Sequence, residues 1–111
     1  VLIINNAYLG MIRQWQELFY DNRLSGADLE GNPDFVKLAA AYGIKGFRIR
    51  RAGDVDRVLK AAMEYNDGPC VIDAEVVKED NVYPMIPAGA SYTQMIIERP
   101  KVKLEKPSGS T

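Results

Sequence analysis

Histidine is absent from these 111 residues, and Cys70 is the only cysteine. A lone cysteine excludes a disulfide within the chain, and without histidine this chain alone cannot form the usual zinc-ligand sets or a Ser-His-Asp triad. Excess charge is also lacking, because 14 basic and 15 acidic side chains leave a formal net charge of −1. With no basic patch, no apolar run of the roughly 18 residues that a membrane helix needs and no signal peptide, we expect neither nucleic acid nor a membrane as partner.

The size and composition of the chain predict one modest domain with its own core, since 47% of the residues are hydrophobic. The sequence opens on Val1, without a methionine, and inside what is predicted to be a buried strand. We therefore expect the chain to be a piece of a longer protein.

The first twenty residues organise the prediction. An apolar run, Val1 to Ile4, is typical of a strand covered on both faces, and it ends in the amide pair Asn5-Asn6. An amphipathic helix is predicted from about Leu9, with a broad apolar stripe formed by Met11, Ile12, Trp15, Leu18 and Phe19. Because ligands bind at the carboxyl ends of strands in parallel α/β sheets, the two amides are well placed to bind a polar group.

The middle of the chain predicts two further crossover units. A loop is expected from Asp21 to Asn32, then a helix with Asn32 as N-cap and Pro33 in the first helical position, which Gly43 ends. The alternating residues 45–51 predict a strand with one buried face at the edge of the sheet, and a helix follows from about Asp54.

The last predicted strand, Cys70 to Val77, completes the order strand, helix, helix, strand, helix, strand. That order predicts an α/β fold, a fragment of a doubly wound parallel sheet with at least three strands. Beyond it we expect an extended segment with a short helix over Thr93–Ile97 and a disordered end at residues 107–111.

Two polar groups have both a structural and a functional interpretation. Asn5-Asn6 can form a turn or cap the next helix, or a carboxamide and a main-chain carbonyl can ligate a hard cation such as Mg²⁺. Asp73 and Glu75 can act as an acid/base pair, but ion pairing with the arginines at 48 and 50 is the commoner arrangement, and we leave them out of the site. On spacing alone, Met11 and Trp15 are predicted core residues.

Three stretches carry a resemblance to a known family: NNAYLGMIRQWQELFY at 5–20, NPDFVKLAAAYGIKG at 32–46 and VYPMIPAGAS at 82–91. The first resembles the second half of the thiamine-diphosphate motif. Together, in this order, they are similar to the catalytic large subunit of acetolactate synthase, also called acetohydroxyacid synthase. The similarity extends to about Ile97.

The resemblance implies site residues in the first helix region and near the end of the chain. It makes Asn6 the side-chain ligand, and Tyr8 the main-chain ligand, of the Mg²⁺ that holds the cofactor diphosphate. The implied cofactor-binding residues are Asn6, Tyr8, Leu9, Gly10 and Met11. The implied substrate channel, where two herbicide classes also bind in the family, is lined by Met11, Trp15, Phe19 and Ala88. No catalytic residue is implied within these residues.

The resemblance also implies a division of the chain and a reaction. Residues 1–77 would be the C-terminal part of the thiamine-diphosphate-binding α/β domain, and 78–111 a lid segment with a flexible tail. The implied reaction is decarboxylation of pyruvate and condensation with a second 2-oxo acid, giving 2-acetolactate or 2-aceto-2-hydroxybutanoate. This is the first common step in the synthesis of valine, leucine and isoleucine.

The intact enzyme implied by the resemblance uses thiamine diphosphate, Mg²⁺ and a structural FAD. Its partners would be the rest of the catalytic subunit, a second copy in a homodimer or homotetramer, and a small regulatory subunit. The location would be the cytoplasm in a bacterium and an organelle in a eukaryote. The alternatives are another thiamine-diphosphate-dependent carboligase or decarboxylase, and a cofactor-free α/β interaction module.

Overall fold

The computed structural model describes residues 1–101. Their contacts form two compact units: an α/β unit of Val1–Ala7 with Leu29–Lys78, and a second unit of Tyr8–Asp28 with residues 79–101. The predicted division of the chain into a cofactor-binding part, residues 1–77, and a lid segment from residue 78 stays a prediction. The predicted disordered end at 107–111 lies outside the described residues.

The α/β unit contains a three-stranded parallel sheet, which confirms the predicted fold class. Its strands are β1 (Leu2–Asn5), β2 (Lys45–Ile49) and β3 (Cys70–Glu75), arranged in the order β1-β3-β2. Leu2 is aligned with Ile72, which is aligned with Phe47 on the other side. The prediction that the second strand lies at a sheet edge is therefore confirmed.

The two helices of this unit cover opposite faces of the sheet. Helix α3 (Val55–Glu64) packs its buried Val58 on a small core with Ile49, Ile72 and Ala74. Successive strand residues point to opposite faces, so Gly46 belongs to the face opposite Phe47 and the core. There a Cβ at Gly46 would lie 3.0 Å from Val36 Cγ1, which places helix α2 (Phe35–Ala41) on that second face.

The start of α2 differs from the prediction. Asp34, and not Asn32, is the N-cap: its Oδ1 accepts hydrogen bonds from the backbone N–H groups of Val36 and Lys37, both at 3.1 Å. Asn32 and Pro33 precede the helix because a carboxylate one residue further on satisfies two of its unpaired donors. The predicted stop at Gly43 is confirmed, since its φ is +67°.

The second unit contains helix α1 (Gly10–Phe19), a loop to residue 28, and a C-terminal segment, residues 79–101. That segment has little regular structure. A 3₁₀ helix covers Tyr92–Gln94, in place of the helix predicted over Thr93–Ile97, and Met85 and Ile96 form an isolated antiparallel bridge. No helix within residues 1–101 is long and apolar enough to cross a membrane.

Candidate functional site

The turn after β1 is fixed by Asn5. Its Nδ2 donates to Asp73 Oδ1 at 3.1 Å, and its Oδ1 accepts from the Ala7 N–H at 3.1 Å. Its main-chain oxygen accepts from the Val76 N–H at 3.0 Å and so extends the pairing of β1 with β3. The φ of Ala7 is +59°, a left-handed value that non-glycine residues seldom adopt. The turn interpretation of the amide pair is thus correct for Asn5.

Asn6 stands between this fixed residue and the left-handed turn, and it is partly buried. The capping interpretation of the pair is wrong, because the N-cap of α1 is Leu9 and not an asparagine. Asn5 therefore has a structural role, whereas Asn6 brings a carboxamide oxygen to the carboxyl end of a parallel strand, where ligands bind in such folds.

Tyr8 opens the second unit and pairs with Asp28 in an isolated antiparallel bridge. The next residue, Leu9, donates its N–H to Ala27 O at 2.8 Å, so the loop before residue 28 returns to the start of α1. The Arg13 guanidinium carbon lies 5.3 Å from the centroid of the Tyr8 ring, a cation–π contact. The bridge to Asp28 thus holds the main chain at Tyr8, and Arg13 contacts its ring.

The oxygen donors at Asn6 and Tyr8 fit the chemistry of Mg²⁺. A carboxamide oxygen and a main-chain carbonyl oxygen are hard ligands of the kind that this cation prefers. Within residues 1–101, no three His, Cys, Asp or Glu side chains form a group that could hold a metal ion. A carboxamide oxygen and a main-chain carbonyl oxygen are both uncharged donors.

Helix α1 carries an open apolar cavity of about 400 Å³, lined by Met11, Ile12, Trp15, Gln16 and Tyr20. Met11 is 50% exposed and Trp15 39%, so neither is a core residue, and the prediction from spacing alone is wrong for both. Leu18 is the buried member of the stripe, and a lone helix can turn only part of so broad a stripe to a core.

The structure brings only some of the predicted channel residues together. Met11 and Trp15 line the cavity, and Phe19 packs edge-on against Trp15, with ring centroids 5.6 Å apart. Ala88 is exposed on the C-terminal segment and is not among the lining residues. Leu9 and Gly10 lie at the start of the same helix, but outside the cavity lining.

Three lining residues were missed from the sequence: Ile12, Gln16 and Tyr20. They recur every four residues, directly after Met11 and Trp15, so the helical spacing contained the signal. The three residues were missed because they are not all apolar and so do not form a hydrophobic stripe.

Glu17 joins α1 to the C-terminal segment through charge. Its Oε2 accepts from Arg13 Nη1 and from Asn81 Nδ2, both at 3.0 Å, and its Oε1 lies 3.4 Å from Arg99 Nε. Arg99 also donates to the main-chain oxygen of Glu79. Because Arg13 is buried, this carboxylate neutralises a charge that would otherwise be costly to keep from water.

The predicted ion pairing with the arginines is confirmed for Glu75 and is wrong for Asp73, which bonds to an amide instead. Glu75 Oε1 lies 3.2 Å from Arg50 Nε and 4.0 Å from Arg48 Nε. Arg48 also bonds to the Asp34 carboxylate, and Asp73 bonds to Asn5.

Two of the carboxyl groups in the α/β unit have lowered pKa values. The Lys37 backbone N–H that donates to Asp34 is the main cause that lowers the pKa of that carboxyl below 3.8. Burial opposes this shift in pKa, and the charge and hydrogen bond of Arg48 add to the lowering. The hydrogen bond from Arg57 lowers the pKa of Asp54 in the same way. Both carboxyl groups are held in their ionised form by helix-terminal and arginine donors.

Comparison with known families gives a match over most of the chain. The family described as "Thiamine pyrophosphate enzyme, C-terminal TPP binding domain" matches residues 1–74. That match covers β1, both helices of the α/β unit and nearly all of β3.

Individual relatives extend the similarity into the C-terminal segment. The chain is 45% identical over 97 residues to "Acetolactate synthase large subunit" of Pyropia yezoensis, which covers 86% of this chain and 16% of the relative. It is 40% identical over 96 residues to "Acetolactate synthase isozyme 2 large subunit" of Escherichia coli (strain K12), with 86% and 17% covered. It is 50% identical over 95 residues to "Acetolactate synthase" of Mycobacterium avium, with 82% and 15% covered.

These relatives confirm the resemblance inferred from the sequence motifs. The chain spans about 16% of the length of the relatives it matches. Most of the length of each relative therefore has no counterpart in these 111 residues.

Proposed function

The chain belongs to the family of thiamine pyrophosphate enzyme C-terminal TPP-binding domains, and from that premise we propose that it is part of an acetolactate synthase catalytic subunit. One observation carries the proposal: identity of 40% to 50% with proteins named acetolactate synthase extends over 82% to 86% of the chain. The same similarity includes both the α/β unit and the C-terminal segment. Membership in a cofactor-binding family also favours an enzyme over a cofactor-free interaction module.

The proposed reaction of the intact protein is decarboxylation of pyruvate and condensation with a second 2-oxo acid. Pyruvate as acceptor gives 2-acetolactate, and 2-oxobutanoate gives 2-aceto-2-hydroxybutanoate, the first common step towards the branched-chain amino acids. Bound thiamine diphosphate supplies the thiazolium carbon at which this chemistry occurs. The residues of this chain bind the cofactor and line the substrate channel, and no catalytic acid or base is assigned among them.

Asn6 and Tyr8 are the proposed ligands of Mg²⁺, the first through its side-chain oxygen and the second through its main-chain oxygen. One observation supports the assignment of Asn6: it follows the carboxyl end of a parallel strand, where ligands bind in such folds. Leu9, Gly10 and Met11 are the remaining proposed contacts to the cofactor.

Met11, Trp15 and Phe19 are the proposed wall of the substrate channel, with Ala88 on the segment that closes it. The cavity beside Met11 and Trp15 and the edge-on packing of Phe19 on Trp15 support this assignment. A largely apolar wall suits a step that proceeds best away from bulk water. FAD, a homodimer or homotetramer, a small regulatory subunit and the cellular location belong to the same proposal.

Product analysis of the intact protein tests the proposed reaction. Incubation with pyruvate, thiamine diphosphate and Mg²⁺ should give acetolactate. Acetaldehyde in its place would contradict the proposal and identify a related decarboxylase.

Substitution of Asn6 tests the proposed metal ligand. In the intact protein, Asn6→Ala removes an oxygen ligand and should weaken Mg²⁺-dependent binding of thiamine diphosphate at least tenfold, measured by calorimetric titration. Asn6→Asp is the matched control, because it retains an oxygen donor of the same length and should bind within a few-fold of the unmodified protein. Unchanged affinity in Asn6→Ala would refute the assignment.

A further inference from the structure

The side chain of Gln14 is only 1% exposed, although it is polar and lies on a helix whose neighbouring residues line an open cavity. Its Oε1 accepts from the Val82 N–H at 2.6 Å, and its Nε2 donates to the Val82 main-chain oxygen at 3.0 Å. The same Nε2 contacts Met85 Sδ at 2.9 Å. One buried amide thus satisfies both backbone groups of one residue, an arrangement that we call an amide clamp.

The amide clamp replaces the backbone pairing that the C-terminal segment lacks around Val82. Buried N–H and C=O groups need partners, and regular secondary structure usually supplies them. Here the segment has only the bridge between Met85 and Ile96 and one short 3₁₀ helix. Gln14 is therefore the partner of the main chain at the point where the segment meets α1.

Gln16 forms a second amide clamp of the same kind. Its Nε2 donates to the Ser25 main-chain oxygen at 2.8 Å, and its Oε1 accepts from the Ser25 N–H at 3.1 Å. The hydrogen bonds of this second clamp are exposed and hold the loop before residue 28, whereas those of the first clamp are partly buried. The two glutamines stand on either side of Trp15 in the sequence and hold different parts of the chain.

We propose that Gln14 is a positioning residue: its amide clamp fixes residues 82–85, and with them the C-terminal segment that carries Ala88, against α1. The inference rests on the proposed function, in which that segment closes the substrate channel. Gln14 touches neither substrate nor cofactor in this role. The clamp requires one donor and one acceptor side by side, which only a carboxamide or a protonated carboxyl group supplies.

Gln14→Glu in the intact protein tests this requirement, because a glutamate side chain has an O–H donor when it is protonated and none when it is ionised. Burial raises the pKa of a carboxyl group at this position and so favours its neutral form, in which the O–H donates to Val82 O and the carbonyl accepts from the Val82 N–H. At pH 8 the carboxylate only accepts and faces the Val82 oxygen. The two states have nearly the same shape, so a purely steric role would give no pH dependence.

The expected result has a structural and a kinetic part, each compared with the unmodified protein at the same pH. At pH 8, hydrogen exchange of residues 82–85 should be about tenfold faster, and the KM for pyruvate should rise about tenfold with kcat changed less than twofold. At pH 5.5, both should return to within twofold. Exchange and KM that are equally altered at both pH values, or unaltered at both, would overturn the proposal.

Two further variants separate the clamp from general destabilisation. Gln16→Glu makes the same change two positions away and should loosen the loop around Ser25 without affecting residues 82–85. Met85→Leu removes only the sulfur contact and should leave exchange and KM unchanged. If the unmodified protein formed no acetolactate, the proposed function would fail, while the exchange measurement would still decide the clamp.

Discussion

At the scale of single residues, Gly46 marks the closest approach between β2 and α2. A Cβ there would lie 3.0 Å from Val36 Cγ1 and 3.3 Å from both Val36 Cα and Val36 O. Two of these three neighbours are backbone atoms, which cannot move without shifting the helix. The glycine is required by this contact and not by its backbone conformation.

Gly46→Ala should therefore destabilise the α/β unit, by about 1–3 kcal/mol, as overpacking typically does. Hydrogen exchange of the β2 and α2 amides in the intact protein measures the effect. Gly53→Ala is the matched control, since no atom lies within 4 Å of a Cβ at that position and little change is expected. Equal stability of the two variants would contradict the contact.

The adjacent residues Asn5 and Asn6 show what single-residue patterns predict and what they leave out. The sequence indicated a turn after β1, and the structure confirms it. It did not distinguish the two amides, because the bond from Asn5 to Asp73 joins residues 68 positions apart. Such a partner is set by the register of β1 with β3, which no local pattern contains.

At the scale of elements, α2 depends on one carboxylate for its start and for its tie to β2. Asp34 accepts from the Val36 and Lys37 N–H groups and pairs with Arg48. Since its pKa is lowered on folding, this stabilisation is fully present above the unfolded pKa and is lost as pH falls through the folded pKa.

Asp34→Ala should destabilise α2 at pH 7, because the helix loses its N-cap. Asp34→Asn is the control that keeps a capping oxygen and removes the charge, so it should retain most of the stability. Exchange of the α2 amides measures both. The difference between the unmodified protein and Asp34→Asn should shrink below pH 3.8, and a difference that grew there would contradict the pKa shift.

The order of elements was predictable from hydrophobic periodicity, but several of their ends were not. The last strand ends at Glu75 and not at Val77, and α2 begins after Asp34 and not after Asn32. Helix α2 begins where the Asp34 carboxylate accepts from its first N–H groups, and β3 ends at the residue aligned with Asn5, the last residue of β1. The apolar stripe of α1 likewise predicted a helix but not which of its residues stay exposed.

At the scale of the whole molecule, the chain corresponds to about 16% of its relatives and supplies neutral oxygen donors and an apolar wall. The 111 residues alone should therefore form no acetolactate from pyruvate with thiamine diphosphate and Mg²⁺, whereas the intact protein should. Circular dichroism of the isolated chain would verify its secondary structure in the same preparation. Acetolactate formation by the isolated chain would contradict the proposal that this chain binds cofactor and substrate but supplies no catalytic acid or base.

The two amide clamps have a consequence for sequence divergence. Gln14 and Gln16 bind main-chain atoms, so the identities of Val82 and Ser25 are irrelevant to the bonds they accept and donate. The constraint on the sequence therefore applies to one partner only. Each glutamine position requires a side chain with a paired donor and acceptor. For these hydrogen bonds, the partner position can hold any residue except proline, which lacks the N–H. Substitutions can accumulate at the held residues without compensating changes in α1.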